Sequence, residues 1–179
     1  MAEFLWIFWS FSLLGWVLER LFAAVTRSPQ RRRRCLLLLP LCPVYGLGMA
    51  AVLALPPSLR SGWPLYLWGG LTATSVEYIY HWWGETFLGV SFWDYTGVFG
   101  NLRGRVCLPF SLAWGLLLFP AVYLVTPPVV ALADRVPVGV TWWLLLAFTA
   151  DAVCSLRFLA VTHDLEALRA VIWPVSADR

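Results

Sequence analysis

The stretch FLWIFWSFSLLGWVLERLFAAV, residues 4–25, decides the class of fold. It is almost entirely apolar and holds two charged residues, Glu19 and Arg20. A bilayer core about 30 Å thick requires roughly 20 apolar residues in a helix, so the stretch predicts a transmembrane span. Its front carries Glu3 and no basic residue, and its apolar run is too long for a secretory signal, so we expect a retained span.

The rest of the chain has the same character. Apolar residues make up 60% of the 179 residues and charged residues 13%, and the mean hydropathy is +0.73, values typical of membrane proteins. Further apolar runs lie at 35–55, 63–83, 107–125 and 138–160. We therefore predict an all-α integral membrane protein, a bundle of five transmembrane helices that forms a single domain over residues 1–179.

The basic residues indicate the orientation of the chain. Lysine is absent, and most arginines outside the spans follow spans one, three and five: Arg27, Arg31, Arg32, Arg33, Arg34, Arg103, Arg105, Arg169 and Arg179. The opposite loops hold only Arg60 and Arg135. The positive-inside rule then places the N-terminus outside and the C-terminus in the cytoplasm of a multi-pass cell-membrane protein, in bacteria the inner membrane. The run Arg31–Arg34 is either a stop-transfer anchor or a binding site for anionic lipid.

Three carboxylates interrupt the predicted spans. Glu19, Glu77 and Asp151 each fall in the cytoplasmic half of a helix. A charged residue at the centre of a span costs about 2.5 to 3.5 kcal/mol on insertion scales, so such residues usually face the bundle interior or a wet cavity. We predict that the three acids meet in one layer as a site for a cation or proton. The alternative is that each acid has its own arginine or backbone partner and holds helices together.

Two further residues stand near that layer. His81 shares a helix face with Glu77, Thr74 and two glycines, and we expect a hydrogen-bonded or interfacial histidine rather than a proton relay or a metal ligand. Span two begins CLLLLPLCPVYGLGMA, where two prolines and two glycines predict a non-helical cytoplasmic third with Tyr45 projecting from the break. An ordinary proline-kinked helix is the alternative.

The segment 84–106 contains FWDYTGVFGNLRGR, which mixes aromatic rings, glycines and charges. A solvated loop does not need so many rings. We expect an interfacial or re-entrant segment between spans three and four that covers the acidic layer, with Trp93 and Tyr95 at the level of the headgroups. Asp94 would then pair with Arg103 or Arg105.

Several kinds of chemistry have no signal in the sequence. Cys35, Cys42, Cys107 and Cys154 form no CxxC pair, so we expect reduced thiols and neither a disulfide nor a zinc site. No nucleotide loop, GxSxG elbow or HExxH pair is present. We therefore expect no metal, no cofactor, no nucleic-acid partner and no catalytic residue, and any ATP would have to be bound by another chain.

The order of the motifs GWVLER, LCPVYGLG and WDYTGVFGNLRGRVCLPFSLAWGL resembles that of a bacterial family called putative ABC-transporter type IV permeases. The resemblance covers about residues 8–117, with Thr96 after WDY and an arginine run before span two as departures from the family pattern. It implies a small multi-span fold and carries the family motifs onto these positions: Gly15, Trp16, Glu19, Pro43, Tyr45, Gly46, Gly48, Glu77, Trp93, Asp94, Tyr95, Asn101, Gly104, Arg105, Trp114 and Gly115.

Transport is the function that we predict first. A small solute or ion would use an acidic intramembrane pocket near the cytoplasmic side, with Glu19, Glu77 and Asp151 as cation or proton sites and Tyr45 and Asn101 as orienting groups. A membrane-embedded lipid-handling enzyme ranks second, with Asp94 or Glu77 as acid or base and Arg103 and Arg105 holding a phosphate. The third alternative is a structural subunit of a larger complex, whether with copies of itself or with another protein.

Overall fold

The computed structural model describes residues 2–26 and 35–170 of the chain. These residues form helices and contain no β-strand, only one isolated bridge between Leu102 and Val106. We number the helices α1 (Ala2–Thr26), α2 (Pro43–Leu53), α3 (62–88), α4 (Leu108–Ala133), α5 (Val138–Thr162) and α6 (Leu165–Ala170). Both α3 and α4 are continuous helices that include π-helical turns.

Three helices in the described part of the chain are long and apolar enough to cross a membrane: Ala2–Val25, Leu108–Ala133 and Val138–Thr162. The predicted spans one, four and five fall on these helices. Within the predicted span two, residues 35–55, α2 has 11 residues and at 1.5 Å per residue reaches about 16 Å, so a membrane crossing by span two remains a prediction. The crossing of α3 remains a prediction, and so does the total of five.

The broken start of span two is present in the structure. Residues 36–40 form bends, and the helix begins at Pro43. Proline lacks an amide hydrogen and fits the first turn of a helix, where that hydrogen would have no helical acceptor. The backbone amide of Cys42 instead donates to the Ser12 carbonyl of α1, at 2.9 Å. The chain therefore enters α2 through irregular backbone that other elements shield, as non-helical backbone at membrane depth requires.

Cys35 and Cys42 form a disulfide that brackets this irregular stretch, with their Cα atoms 5.1 Å apart. The expectation of reduced thiols is therefore wrong for this pair in the structure. A spacing of seven residues matches no common motif, and the bends at 36–40 fold the chain back so that the two sulfurs meet. Cys107, which is buried, and Cys154, which is exposed, lie outside this disulfide.

The segment after α3 differs from its prediction. Residues 84–88, assigned to it from the sequence, are the last π-helical turn of α3, which ends at Gly89 with φ 65°. Trp93 and Tyr95 are buried at 6% and 7% exposure, and Phe92 is fully buried. The rings pack into the protein against Tyr80 and Phe110 rather than lying exposed, and their predicted level at the headgroups remains a prediction. A re-entrant path of this segment remains a prediction.

Two clusters of buried apolar side chains hold the bundle together. One joins the segment 89–107 to the start of α2 and to α5 and α6, and includes Leu37, Phe92, Trp93 and Leu159. The other lies toward the beginning of α1 and joins it to α2, α3 and α4. The polar residues of interest lie where α1, α2, α3 and α4 approach one another, beside these clusters.

Candidate functional site

Glu77 on α3 is the most buried carboxylate among the described residues, at 2% exposure. Its Oε1 atom accepts a hydrogen bond from the Tyr95 hydroxyl at 3.3 Å, and its Oε2 atom accepts one from Nε1 of Trp114 at 2.7 Å. A buried carboxylate requires such partners, because removal from water penalises the unpaired group strongly. Glu77 therefore joins α3 to the segment 89–107 and to α4.

Glu19 on α1 is half-buried and accepts a hydrogen bond from the Tyr45 hydroxyl. Tyr45 lies in the first turn of α2 and packs directly on Gly15, where an added Cβ would overlap its ring. Gly46 is equally close to the backbone of Phe8. The two glycines thus permit α1 and α2 to approach closely enough for the tyrosine to reach the acid one turn further along α1.

The two acids are connected through a pair of aromatic rings. Tyr45 and Trp114 meet edge to face, with ring centroids 5.2 Å apart. Tyr45 donates to Glu19 and Trp114 donates to Glu77, so each ring of the pair is held by one carboxylate. Edge-to-face contact is a favoured geometry for aromatic pairs. We call Tyr45 and Trp114 the aromatic pair.

Two cavities meet at the aromatic pair, which lines both of them together with Leu18 and Leu117. The first has a volume of about 300 Å³, is mostly apolar, and has Glu77 in its wall. The second has a volume of about 480 Å³ and includes Glu19 and Asp94 in its wall. Both volumes are in the range of sites for small molecules. Aromatic residues dominate the second: Phe22, Tyr45, Trp93, Tyr95, Phe110 and Trp114.

The sequence of the chain matches the model of one protein family. A family model described as "Putative ABC-transporter type IV" matches residues 6–156. The chain belongs to that family. A search of curated proteins and a search of solved structures each found no match. The match includes both acids, the aromatic pair and the segment 89–107, so the described site lies within the part of the chain that defines the family.

Residues from motifs that are far apart along the chain meet in the structure. The WDY motif supplies Tyr95 to Glu77, and the WG motif of α4 supplies Trp114 to the same carboxylate. Nε1 of Trp93 donates to the Arg105 carbonyl at 2.7 Å, which connects the two ends of the segment 89–107. The motifs therefore describe one contiguous region around Glu77.

Asp151 does not join the other two acids. Its Oδ1 and Oδ2 atoms accept hydrogen bonds from the backbone amides of Leu38 and Leu39 at 3.1 and 2.8 Å, and Oδ1 also accepts one from the Ser155 hydroxyl at 2.9 Å. It lines neither of the two cavities. Asp151 instead supplies hydrogen-bond acceptors for backbone amides of the irregular stretch before α2, which have no helical acceptor. The predicted layer of three acids is wrong in this respect, and two acids share the site.

His81 belongs to a second polar group at the end of α3. Its Nε2 atom lies 3.1 Å from Glu85 Oε1 and 3.2 Å from the Ser91 hydroxyl. Glu85 also holds Arg105, whose Nε and Nη2 atoms are both 2.8 Å from Oε2. Arg105 in turn donates to the Tyr78 hydroxyl at 2.8 Å and lies over that ring. We call His81, Glu85, Arg105 and Tyr78 the α3 latch.

The remaining predicted residues organise the turns of the segment 89–107. Asp94 Oδ1 accepts a hydrogen bond from the Thr96 amide at 2.7 Å, and hydrogen bonds from the Thr96 side chain and backbone lower the pKa of Asp94. Asn101 accepts from the Gly104 amide and donates to the Val98 carbonyl. Arg103 is exposed with φ 54°. Of the two predicted partners of Asp94, Arg105 is held by Glu85 instead, and the pairing with Arg103 remains a prediction.

Some contributors were missed from the sequence. Glu85, Tyr78 and Ser91 were not singled out, although Glu85 follows His81 by four residues, a spacing at which helical side chains meet. Among residues 2–26 and 35–170, no group of three or more His, Cys, Asp or Glu side chains is arranged to hold a metal ion. The proposed lipid contact of Arg31–Arg34 lies outside the described residues.

Proposed function

We propose that this family member is a membrane permease that moves a small solute or ion through the two cavities between α1 and α4, near the cytoplasmic side. The observation that carries the proposal is the aromatic pair, which lines both cavities and is hydrogen-bonded to a carboxylate on each side. Polar groups placed in this way at membrane depth typically mark pathways for ions or substrates.

The aromatic pair is the barrier between the cavities in this proposal. Rotation of either ring requires its hydrogen bond to Glu19 or Glu77 to break. A cation or proton that reaches one of the carboxylates weakens that acceptor and releases the ring. The charge state of the two acids would thereby control whether a solute can pass between the cavities. A gated pathway requires such a coupling.

The orientation is proposed from the arginine distribution, with the N-terminus outside and the C-terminus in the cytoplasm. The 480 Å³ cavity, the α3 latch and the segment 89–107 then lie toward the cytoplasm. The 300 Å³ cavity lies deeper in the bilayer, toward the beginning of α1. Any use of ATP would require a partner subunit.

The contacts of the arginine and the acid do not favour the lipid-handling enzyme. Arg105, one of the two arginines that would hold a phosphate with Arg103, is engaged by Glu85 and Tyr78. Asp94, which would act as acid or base, accepts a hydrogen bond from the backbone amide of Thr96. Glu77 is held by two aromatic donors. We therefore keep transport as the proposed function.

Flux measurements in proteoliposomes test the proposal. Purified protein is reconstituted, and the movement of protons, rubidium and ethidium is followed with pyranine, radioactive tracer and fluorescence. We expect at least one cation to move, and Glu77→Gln to reduce its flux by at least about tenfold, a free-energy change of about 1.4 kcal/mol. Glutamine keeps the shape and one acceptor for Trp114, so the ring stays held, but it removes the charge that attracts the cation and with it the step that releases the ring.

Glu3→Gln is the matched control, because Glu3 lies exposed in the first turn of α1 and the substitution makes the same chemical change. Its flux should equal that of the unmodified protein. If none of the three cations moves, or if Glu77→Gln and Glu3→Gln transport equally well, the proposed function is wrong.

A further inference from the structure

Partly exposed leucines line the two cavities. Leu14, Leu18 and Leu117 are 39–45% exposed. All three lie in the predicted spanning helices α1 and α4. Their exposed sides therefore face acyl chains rather than water. A molecule dissolved in the bilayer could reach both cavities without passing through an aqueous channel.

The cavities lie in a cleft between α1 and α4. At one end, Phe22 of α1 meets Phe110 of α4 with ring centroids 5.9 Å apart. At the other end, α1 contacts the last part of α4, Thr126–Ala133. Between these two contacts the helices are separated by the two cavities, and α2 forms the floor with Val44, Gly48 and Met49.

The two halves of the cleft differ in chemistry. The 300 Å³ cavity is apolar along most of its wall and suits an alkyl chain. The 480 Å³ cavity combines two carboxylates, Glu19 and Asp94, with six aromatic rings, and no basic side chain of the described residues lines it. Ring faces and carboxylates together attract organic cations, because the quadrupole of each ring is negative above its plane.

We propose that the cleft binds an amphipathic cation taken from the bilayer, with its ammonium head in the aromatic and acidic cavity and its alkyl tail in the apolar cavity. This inference rests on the proposed function and names the class of its substrate. The head would lie among Trp93, Tyr95 and Glu19, and the tail would reach toward Gly48 after it displaces a ring of the aromatic pair. The two carboxylates of the cavity favour a positive charge on the head. The cleft between α1 and α4 provides the route from the bilayer to the cavities.

Binding to protein in phosphatidylcholine nanodiscs tests the inference. Decyltrimethylammonium is titrated calorimetrically, empty nanodiscs are subtracted, and decyl sulfate serves as an anion with the same tail. We expect the cation to bind at least about tenfold more tightly than the anion. Glu19→Gln should weaken the binding of the cation by about tenfold and should not weaken the binding of the anion, because the lost negative charge attracts only a cationic head.

Gly48→Leu tests the tail independently of the charge. A Cβ at Gly48 would meet no atom within 4 Å, so the leucine side chain fits without a backbone clash and fills the apolar cavity. We expect it to weaken decyltrimethylammonium by about tenfold, since several methylenes lose their burial, and to leave ethyltrimethylammonium unchanged. Gly139→Leu is the control, because Gly139 is exposed on α5 and has the same open surroundings.

The outcomes separate this inference from the proposed function. Equal binding of cation and anion overturns the inference, and so does unchanged binding in Glu19→Gln or in Gly48→Leu. If a small cation shows Glu77-dependent flux while decyltrimethylammonium does not bind, the function stands and the substrate class is wrong. If decyltrimethylammonium binds as expected but no cation is transported, the cleft is a binding site and the permease proposal fails.

Discussion

At the scale of single residues, the intramembrane acids have two different roles. Glu77 and Glu19 are held by aromatic donors at the walls of cavities. Asp151 is held by two backbone amides and a buried serine. All three were selected from the sequence by the same argument, the cost of a charge in a span. Their hydrogen-bond partners cannot be read from spacing along the chain. These partners place Glu19 and Glu77 in a candidate site and give Asp151 a structural role.

Asp151→Asn should destabilise the fold. Asparagine offers one acceptor oxygen where the carboxylate offers two, and its amide hydrogens would face a backbone amide. Leaving such a buried donor unsatisfied costs about 1–3 kcal/mol. We expect a lower midpoint of thermal unfolding, followed by tryptophan fluorescence in detergent.

Asp134→Asn provides the control, since Asp134 is exposed just after α4 and the chemical change is the same. The two variants should differ clearly in midpoint. Equal midpoints would show that the hydrogen bonds of Asp151 to the Leu38 and Leu39 amides contribute nothing to stability.

At the scale of elements, the α3 latch fixes the path of the segment 89–107. Arg105 near the end of the segment is bound to Glu85 and Tyr78 on α3, and the Tyr95 and Leu102 amides form backbone hydrogen bonds within the segment at 2.8 and 2.9 Å. Because Tyr95 reaches Glu77 from this segment, the latch also positions one donor of the site.

Arg105→Lys should loosen the segment while the fold remains. Lysine keeps the charge but cannot contact Glu85 and Tyr78 with separate nitrogens of a planar group. Because the loss of one nitrogen contact weakens the hold on the segment only modestly, hydrogen exchange at the Tyr95 and Leu102 amides should accelerate by roughly fivefold.

Arg103→Lys is the matched control for that measurement, because Arg103 is exposed two residues away. Exchange rates that change equally in both variants, or in neither, would contradict the role assigned to the latch.

The elements also indicate where sequence reasoning succeeds. Composition and run length identify α1, α4 and α5, because an apolar run of about 20 residues has few other uses. The prolines of CLLLLPLCPVYGLGMA predict the late start of α2 at Pro43. The burial of Trp93 and Tyr95 was missed, since aromatic side chains suit an interface and a core equally well by composition. The disulfide was missed because bends, rather than spacing, bring Cys35 to Cys42.

At the scale of the whole molecule, orientation and redox state are linked. The proposed orientation places Cys35 and Cys42 toward the cytoplasm, where disulfides rarely persist. We therefore expect both cysteines to react with a maleimide in acid-quenched cells without added reductant, in a Cys107→Ser and Cys154→Ser background. The bridge seen in the structure would then form only on oxidation.

Fusion of reporters to the C-terminus provides an independent readout. The proposed orientation predicts a fluorescent green fluorescent protein and an inactive alkaline phosphatase. An active phosphatase together with maleimide-resistant cysteines would reverse the orientation and place the aromatic cavity on the outer side.

The central claim is that Glu19 and Glu77 act on one pathway through Tyr45 and Trp114. A double-mutant cycle of cation flux in proteoliposomes tests it most directly, with Glu19→Gln, Glu77→Gln and the double variant. Residues that share one site couple, whereas independent sites add. Each single variant should lose at least about tenfold in flux, and the double variant should lose no more than the more severe single one. Losses that multiply, or a single variant with unchanged flux, would contradict it.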